Sequence, residues 1–400
     1  MKWPVVSLSD ALASAEVFVD GDWVESKDQD PEGDVRLVQL ADVGDGEYID
    51  KSDRFLTSVK ARELRCTYLK PGDVMVARMP DPLGRACIFP GDSKPSVTVV
   101  DVCIIRPNER EHDARWLMHC LNAPACRNQI ASFATGTTRS RISRSNLGKI
   151  KIALPPLAEQ RRIANLLDRA EALRAKRRAA FTQVDSLTQS LFLNLFGDPT
   201  TNPKAWPTKH LNDLVRDDDT INYGVVQPGD NLEEGIPLVR VSDLLQGQVS
   251  HASLKRISPS IEAAYKRSRL RGDEVLLVCV GATAGVVALA DETVRNFNIA
   301  RAVARIPLAD SSDRIFVAAY LRTDSAQRRL QNELRTVAQP TLNIKQIGEL
   351  PIVHPPLELQ REFARRVGAV EKLKTAQRAS LAEMDALFAS LQHRAFRREL

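Results

Sequence analysis

The sequence predicts an α+β chain built twice over: a mixed globule, a long helix, a second globule of the same plan and a second long helix. Three observations carry this reading. Residues 154–196 hold one apolar stripe at helical spacing (Leu157, Ile163, Leu167, Ala170, Leu173, Phe181, Val184, Leu187, Leu191, Leu195), with charge on the opposite face. Residues 355–396 align with 155–196 without a gap and are identical at 15 of 42 positions, among them Gln160/Gln360, Arg161/Arg361 and Leu173/Leu373. The strand and turn signals ahead of each helix also recur about 200 residues apart. An internal repeat of this kind fixes the architecture before any single element is placed.

Taken in order, Trp3-Pro4 opens the first globule and leads into an amphipathic segment to about Ala15. Residues 20–34 are polar, with Gly21, Pro31 and Gly33, and read as loops around a short strand. Residues 35–40 alternate and predict a strand. Pro71-Gly72-Asp73 turns the chain into the strand 74–77. Residues 97–105 read as one further strand, 113–133 as a helix, 135–139 as a loop and 149–154 as the last strand. Pro155 and Pro156 then end the ladder, because proline has no N–H to donate yet fits a helix's first turn. The helix that follows spans roughly 57 Å at 1.5 Å per residue, and Gly197-Asp198-Pro199 stops it.

The second globule replays the first. Trp206-Pro207 answers Trp3-Pro4, residues 236–243 answer 35–42, 270–275 answer 69–74, 314–333 answer 113–133 and 347–352 answer 147–152. The boundaries are therefore 1–153 and 198–353 for the globules, and 154–197 and 354–400 for the helices. Two equivalent helices with narrow apolar seams have each other as partners in a coiled coil.

Composition excludes several classes. With 400 residues, 43% hydrophobic and 27% charged, the chain suits two or three ordinary domains. No apolar run approaches the roughly 18–20 residues that span a bilayer, and the start, MKWPVVSLSD, has no signal-like apolar region, so a cytoplasmic protein is expected. Six cysteines without a C-x-x-C pair read as reduced thiols, and His119, Cys120 and Cys126 are not taken as a zinc site. The phosphate-binding G-x-x-x-x-G-K-[ST], the dinucleotide G-x-G-x-x-G, H-E-x-x-H and G-x-S-x-G are all missing, as is the [ND]-P-P-[YF] of amino-methyltransferases. A noncatalytic chain without its own cofactor is expected.

Charge points to a ligand. Residues 1–53 hold 14 acids and 4 bases, whereas 54–153 hold 17 bases and 8 acids. Arg139, Arg141 and Arg144 lie in an acid-free stretch, and Lys266, Arg267, Arg269 and Arg271 form an equally dense one. These seven are the candidate DNA contacts, since Lys and Arg neutralise phosphates and Arg also reads guanine edges. Two globules that share a frame but differ in filling, joined by rigid helices, suit a long regular ligand touched twice. Double-stranded DNA is such a ligand. The alternative is a duplicated coiled-coil adaptor that binds proteins without reading DNA.

The runs Leu154-Pro-Pro-Leu-Ala-Glu-Gln-Arg-Arg-Ile163 and Phe196-Gly-Asp-Pro199, with Asn202-Pro203 and Trp206, resemble the specificity (S) subunits of type I restriction–modification enzymes over the whole chain. The resemblance implies two target recognition domains and two helices forming an antiparallel coiled coil. Each domain would read one half of a bipartite, asymmetric DNA target, and the helices would set the gap between the halves. It also implies partners: two methyltransferase (M) subunits carrying S-adenosylmethionine, and restriction (R) subunits that consume ATP. The second motif departs from the first, with Leu359 in place of Glu159, and the loop 135–138 answers a different one at 336–339.

Overall fold

The computed structural model describes residues 3–397, apart from 81, 137–139, 246 and 336–340. The loops centred on 137–139 and 336–340 therefore lie outside the described residues. Two compact units are present, Met1–Arg178 with Ala379–Leu400, and Ala179–Arg378. Each unit combines one globule, the first half of the helix that leaves it and the second half of the other helix.

In the first globule Val17–Asp20, Val102–Arg106, Val74–Ala77 and Ala86–Ile88 form an antiparallel sheet in that spatial order. A second sheet holds Phe55–Leu56, Val35–Val38 and Ser96–Thr98, the last pair parallel. The single strand expected over 97–105 is thus two strands in different sheets, separated by a turn in which Val102 N donates to Val99 O at 2.9 Å. Residues of one sequence run take different pairing partners, which no local pattern encodes. The helix expected over 113–133 is also two, Ala114–Asn122 and Pro124–Ser132. Pro124 cannot donate and holds Ala123 extended at φ −66°, ψ 143°.

The second globule repeats the plan. Ile236–Val239 lies between Lys255–Ile257 and Asn298–Ile299, the latter again parallel, and Val275–Val278 lies between Val287–Leu289 and Val303–Ile306. The helical segment again breaks, into Arg314–Leu321 and Asp324–Arg335. Here the break is made by Thr323, whose Oγ1 accepts from Ala326 N at 3.3 Å.

Each globule closes on itself where its long helix begins. Val5–Ser7 pairs with Lys151–Ala153, and Thr208–His210 with Pro351–Val353. The glutamine of the repeated Pro-Pro-Leu-x-x-Gln motif locks this junction. Gln160 accepts from Asp113 N at 3.0 Å and donates to Pro155 O at 2.9 Å, and Gln360 accepts from Asp313 N at 2.9 Å and donates to Pro355 O at 2.8 Å. Both are buried, so each satisfies backbone groups that water cannot reach. The motif is structural: it ties the start of the long helix to the cap of the preceding helical pair.

The long helices run Leu157–Phe196 and Leu357–Arg397. In the first unit Ile163, Ala164 and Leu167 share a core with Trp116 and Leu121 and, from the other helix, with Phe388, Leu391, Ala395 and Phe396. Further along, Arg174 lies 2.6 Å from Asp385 and 4.4 Å from the ring centroid of Phe388. Rising numbers on one helix meet falling numbers on the other, so the pair is antiparallel. The second unit shows the same order: Phe196 packs 5.4 Å from Phe363 and 4.8 Å from Phe316, and Arg378 lies 5.3 Å over Phe181.

One feature of the expected seam is corrected. Leu173, Leu187, Leu373 and Leu387 are 57%, 40%, 42% and 59% exposed. Apolar spacing places them on one stripe, but the neighbouring Arg174, whose guanidinium lies over Phe388, and Lys374, which is buried, are the more enclosed positions.

Candidate nucleic-acid interface

A DNA-binding surface needs exposed cations for phosphates and amide or guanidinium groups for base edges. Much of the basic character of residues 54–153 does not meet that need. Arg78 is 5% exposed, donates to Ile142 O and Val100 O at 3.0 Å each and pairs with Asp20 at 2.6 Å. Arg85 is 7% exposed and donates to the carbonyls of Leu40, Val43, Met79 and Pro82. Arg106 holds both oxygens of buried Asp73 at 2.7 Å. These arginines knit loops and sheets together.

Of the seven candidates, Arg139 lies outside the described residues. Arg141 is half-buried, 3.1 Å from Asp101, and donates to Val100 O at 3.4 Å. Arg144 is the first residue of the helix Arg144–Lys149, capped by Ser143, and its exposed guanidinium donates to Phe18 O at 3.1 Å. Lys266 and Arg267 are exposed in a single helical turn that follows the short helix Pro259–Ala263. Arg271 lies 3.4 Å from both Asp218 and Asp219.

Arg269 is the internal member of the set. It grips the carboxylate of Glu262 through two hydrogen bonds of 2.8 and 2.7 Å, and Glu262 is only 3% exposed. The Arg269 hydrogen bonds, opposed by burial, hold the Glu262 carboxyl below its ordinary range. Replacing Arg269 with alanine leaves that carboxylate with Asn298 Nδ2 at 3.5 Å, and is expected to destabilise the protein by about 1–3 kcal/mol. A depressed carboxylate stabilises the fold above its unfolded pKa and loses that contribution as pH falls through the folded value. Thermal melts of wild type and Arg269→Ala should therefore converge as pH falls below the ordinary glutamate pKa of about 4.3. Equal melting temperatures at neutral pH, with weakened DNA binding, would make Arg269 a DNA contact instead.

The two basic sets do not occupy matching places in the repeated frame. Leu69 N donates to Ser96 O and Leu270 N to Phe297 O, both at 2.8 Å, which aligns 266–271 with 65–70. Ile142 N donates to Arg78 O at 3.0 Å and Leu342 N to Cys279 O at 2.9 Å, which aligns 141 with 341. The counterparts of Lys266 and Arg267 are therefore Arg65 and Cys66.

A cleft of about 790 Å³ opens in the first globule, lined among others by Trp23, Gln39, Met79, Val100, Asp101 and Arg141. Trp23 is 67% exposed and donates through Nε1 to Glu25 at 3.1 Å. Sequence reading gives Trp23 and Gln39 no role. The available signal was Gly21, two residues before Trp23, in a polar loop where a tryptophan has no amphipathic stripe to join. Among the described residues no cluster of His, Cys, Asp and Glu could hold a metal ion, and no helix is long and apolar enough to cross a membrane.

Fold and surface together define a duplicated recognition scaffold: one α+β frame used twice, each copy followed by a long helix, with exposed cations on both globules and a cleft on the first. The family model of the type I restriction modification DNA specificity domain matches residues 17–180 and again 203–383. The chain belongs to this family. The specificity subunit of the type I restriction enzyme EcoBI of Escherichia coli is 30% identical over 336 residues, covering 77% of this chain and 70% of that one. The EcoKI specificity subunit of Escherichia coli is 23% identical over 318 residues, covering 74% and 68%. Two solved structures share the fold. A chain from a study of complex assembly and conformational transition of the type I R-M system matches with a TM-score of 0.63 at 21% identity, covering 100% of this chain and 98% of that one. The type-I restriction-modification S subunit from M. genitalium matches with a TM-score of 0.57 at 16% identity, covering 99% and 96%.

Proposed function

We propose that this chain is the DNA sequence-recognition subunit of a type I restriction–modification complex. Each globule reads one half of a bipartite, asymmetric target, and the helix pair sets the gap and docks the methyltransferase subunits. The chain performs no catalysis: methyl transfer from S-adenosylmethionine belongs to two M subunits, and ATP-driven translocation and cleavage to R subunits. The observation that carries this reading is the duplication itself, one hydrogen-bonded frame with two different surfaces, each on its own half of an antiparallel helix pair. The exposed leucines support the docking role. Leu173 matches Leu373 and Leu187 matches Leu387 in the repeat, and all four are exposed, so two copies of one partner subunit would cover them at equivalent positions.

Co-expression with the cognate methyltransferase in a host lacking other modification systems, followed by methylome sequencing, tests the assignment. A single motif of two short half-sites around a fixed gap is expected. An absence of any methylated motif from a well-assembled complex would favour the adaptor. Within the complex, alanine at Arg144, Lys266 and Arg267 is expected to weaken binding to all DNA sequences alike. Each lost phosphate contact should lower the slope of log affinity against log salt by about one. A changed motif with an unaltered salt slope would make these residues base readers.

A further inference from the structure

The two globules share backbone hydrogen bonds around the cleft beside Trp23. Gly21 and Gly224 stand at one corner of the frame. A Cβ on Gly21 would lie 2.3 Å from Val99 O, and one on Gly224 would lie 1.6 Å from Ile299 O, so neither site accepts a side chain. The next residues dock alike, Asp22 N to Thr98 O at 2.8 Å and Val225 N to Ile299 O at 2.7 Å. Val99 N donates to Val38 O at 3.2 Å, and Ala300 N to Val239 O at 2.9 Å. Val102 N donates to Val99 O and Val303 N to Ala300 O, both at 2.9 Å.

These bonds fix which residue answers which. Trp23 stands where Val226 stands, Gln39 where Arg240 does, Val100 where Arg301 does, Asp101 where Ala302 does and Arg141 where Thr341 does. All five pairs differ in charge, size or hydrogen-bonding capacity. Part of the frame keeps its side chains, as at Gly21/Gly224, Val38/Val239, Asp42/Asp243 and Ile142/Leu342, while Asp22/Val225, Thr98/Ile299 and Arg78/Cys279 keep the backbone bonds and change the side chain. The cleft is thus one place where a retained backbone carries several changed side chains. Trp23 and Val226 are also both exposed, at 67% and 49%, so neither is explained by packing.

We propose that this cleft, and its counterpart in the second globule, is where base edges are read, with Trp23, Gln39 and Arg141 determining the first half-site and Val226, Arg240, Arg301 and Thr341 the second. The assignment rests on the DNA-reading function and deepens it. Charge separates bases from phosphates here. Asp22, Glu25 and Asp101 border the cleft, and the charge of Arg85 is spread over four backbone carbonyls. Three carboxylates against two guanidiniums make this lining better suited to a base edge that carries donors than to a phosphate. Base edges present donors as well as acceptors: carboxylates accept from cytosine, glutamine pairs with adenine, arginine with guanine, and an apolar ring meets the thymine methyl. Arg141 is ready to exchange partners, because its contacts to Asp101 and Val100 O are long, at 3.1 and 3.4 Å, and its buried Nε has no hydrogen-bond partner. Arg240 is held more firmly, with two bonds of 3.0 Å to Asp243 and one of 2.7 Å to Ser253 O.

The test exchanges residues between equivalent positions in the full chain, co-expressed with its methyltransferase. Trp23→Val, Gln39→Arg and Arg141→Thr, singly and together, are expected to change or relax bases of one half-site only, lowering discrimination there by about tenfold to a hundredfold. Val226→Trp and Thr341→Arg should act on the other half-site only. Trp23→Val removes an exposed side chain and keeps the test open if the triple variant fails to fold. Unaltered motifs in every variant would overturn the inference while leaving DNA reading intact. So would weakened methyltransferase co-purification with an unaltered motif from the complex that remains, which would make the cleft a protein contact. A wild-type complex without any methylated motif would overturn DNA reading itself.

Discussion

Four residues inserted after Ala179 are expected to lengthen the gap in the recognised target by one or two base pairs while both half-site sequences stay unchanged. Ala179 is exposed and begins the second compact unit, so the insertion displaces no core side chain. Four residues add about one helical turn, roughly 6 Å, against about 3.4 Å per base pair. They also advance the helical phase by only about 40°, whereas a single inserted residue turns everything beyond it by about 100°. That single insertion would carry Phe192 and Phe196 away from Phe363 and Phe316 and should impair folding. Methylome sequencing of cells carrying each insertion gives the readout. A retained gap in the four-residue variant would show that helix length does not set spacing.

A fragment of residues 1–200 is expected to dimerise weakly through its helix and, with the methyltransferase, to modify a symmetric target made of two first half-sites. The weakness follows from side-chain volume. In the first unit the second helix supplies Phe388, Leu391, Gln392, Ala395 and Phe396. A second copy of the fragment would offer Thr188, Leu191, Phe192, Leu195 and Phe196 in the same places. Ala395 is fully buried, so a leucine there overpacks, and phenylalanine cannot replace the bond from Gln392 to His119 O. Such misfits cost about 1–3 kcal/mol. Phe192→Gln with Leu195→Ala in the fragment should therefore tighten the dimer by about ten- to a hundredfold, measured by sedimentation equilibrium. A fragment that stays monomeric in both forms would refute exchange between the repeated helix halves.

The architecture was legible because its signals are local. A period of 3.6 residues, two prolines before each helix and a repeat offset of about 200 need no knowledge of which segments meet. They yield two globules, two long helices and the family motif, although not the reason for its glutamine, whose partners Asp113 and Asp313 lie 47 residues upstream. Charge was less informative, since an arginine in sequence looks the same whether it faces water or a carbonyl. Arg78 finds Ile142 O across 64 residues, and Arg269 turns inward only because Glu262 is buried beside it. The four exposed leucines show the same limit, because periodicity defines a stripe and only a partner's side chains decide which part of it is covered. The cleft is the extreme case. Its walls come from residues 22–25, 39–41, 79, 85, 99–101 and 141, brought together by strand pairings between distant segments. Sequence alone determined how often the recognition frame occurs and where it starts. Tertiary structure decided which side chains that frame leaves exposed, because burial is set by neighbours that chain order does not reveal.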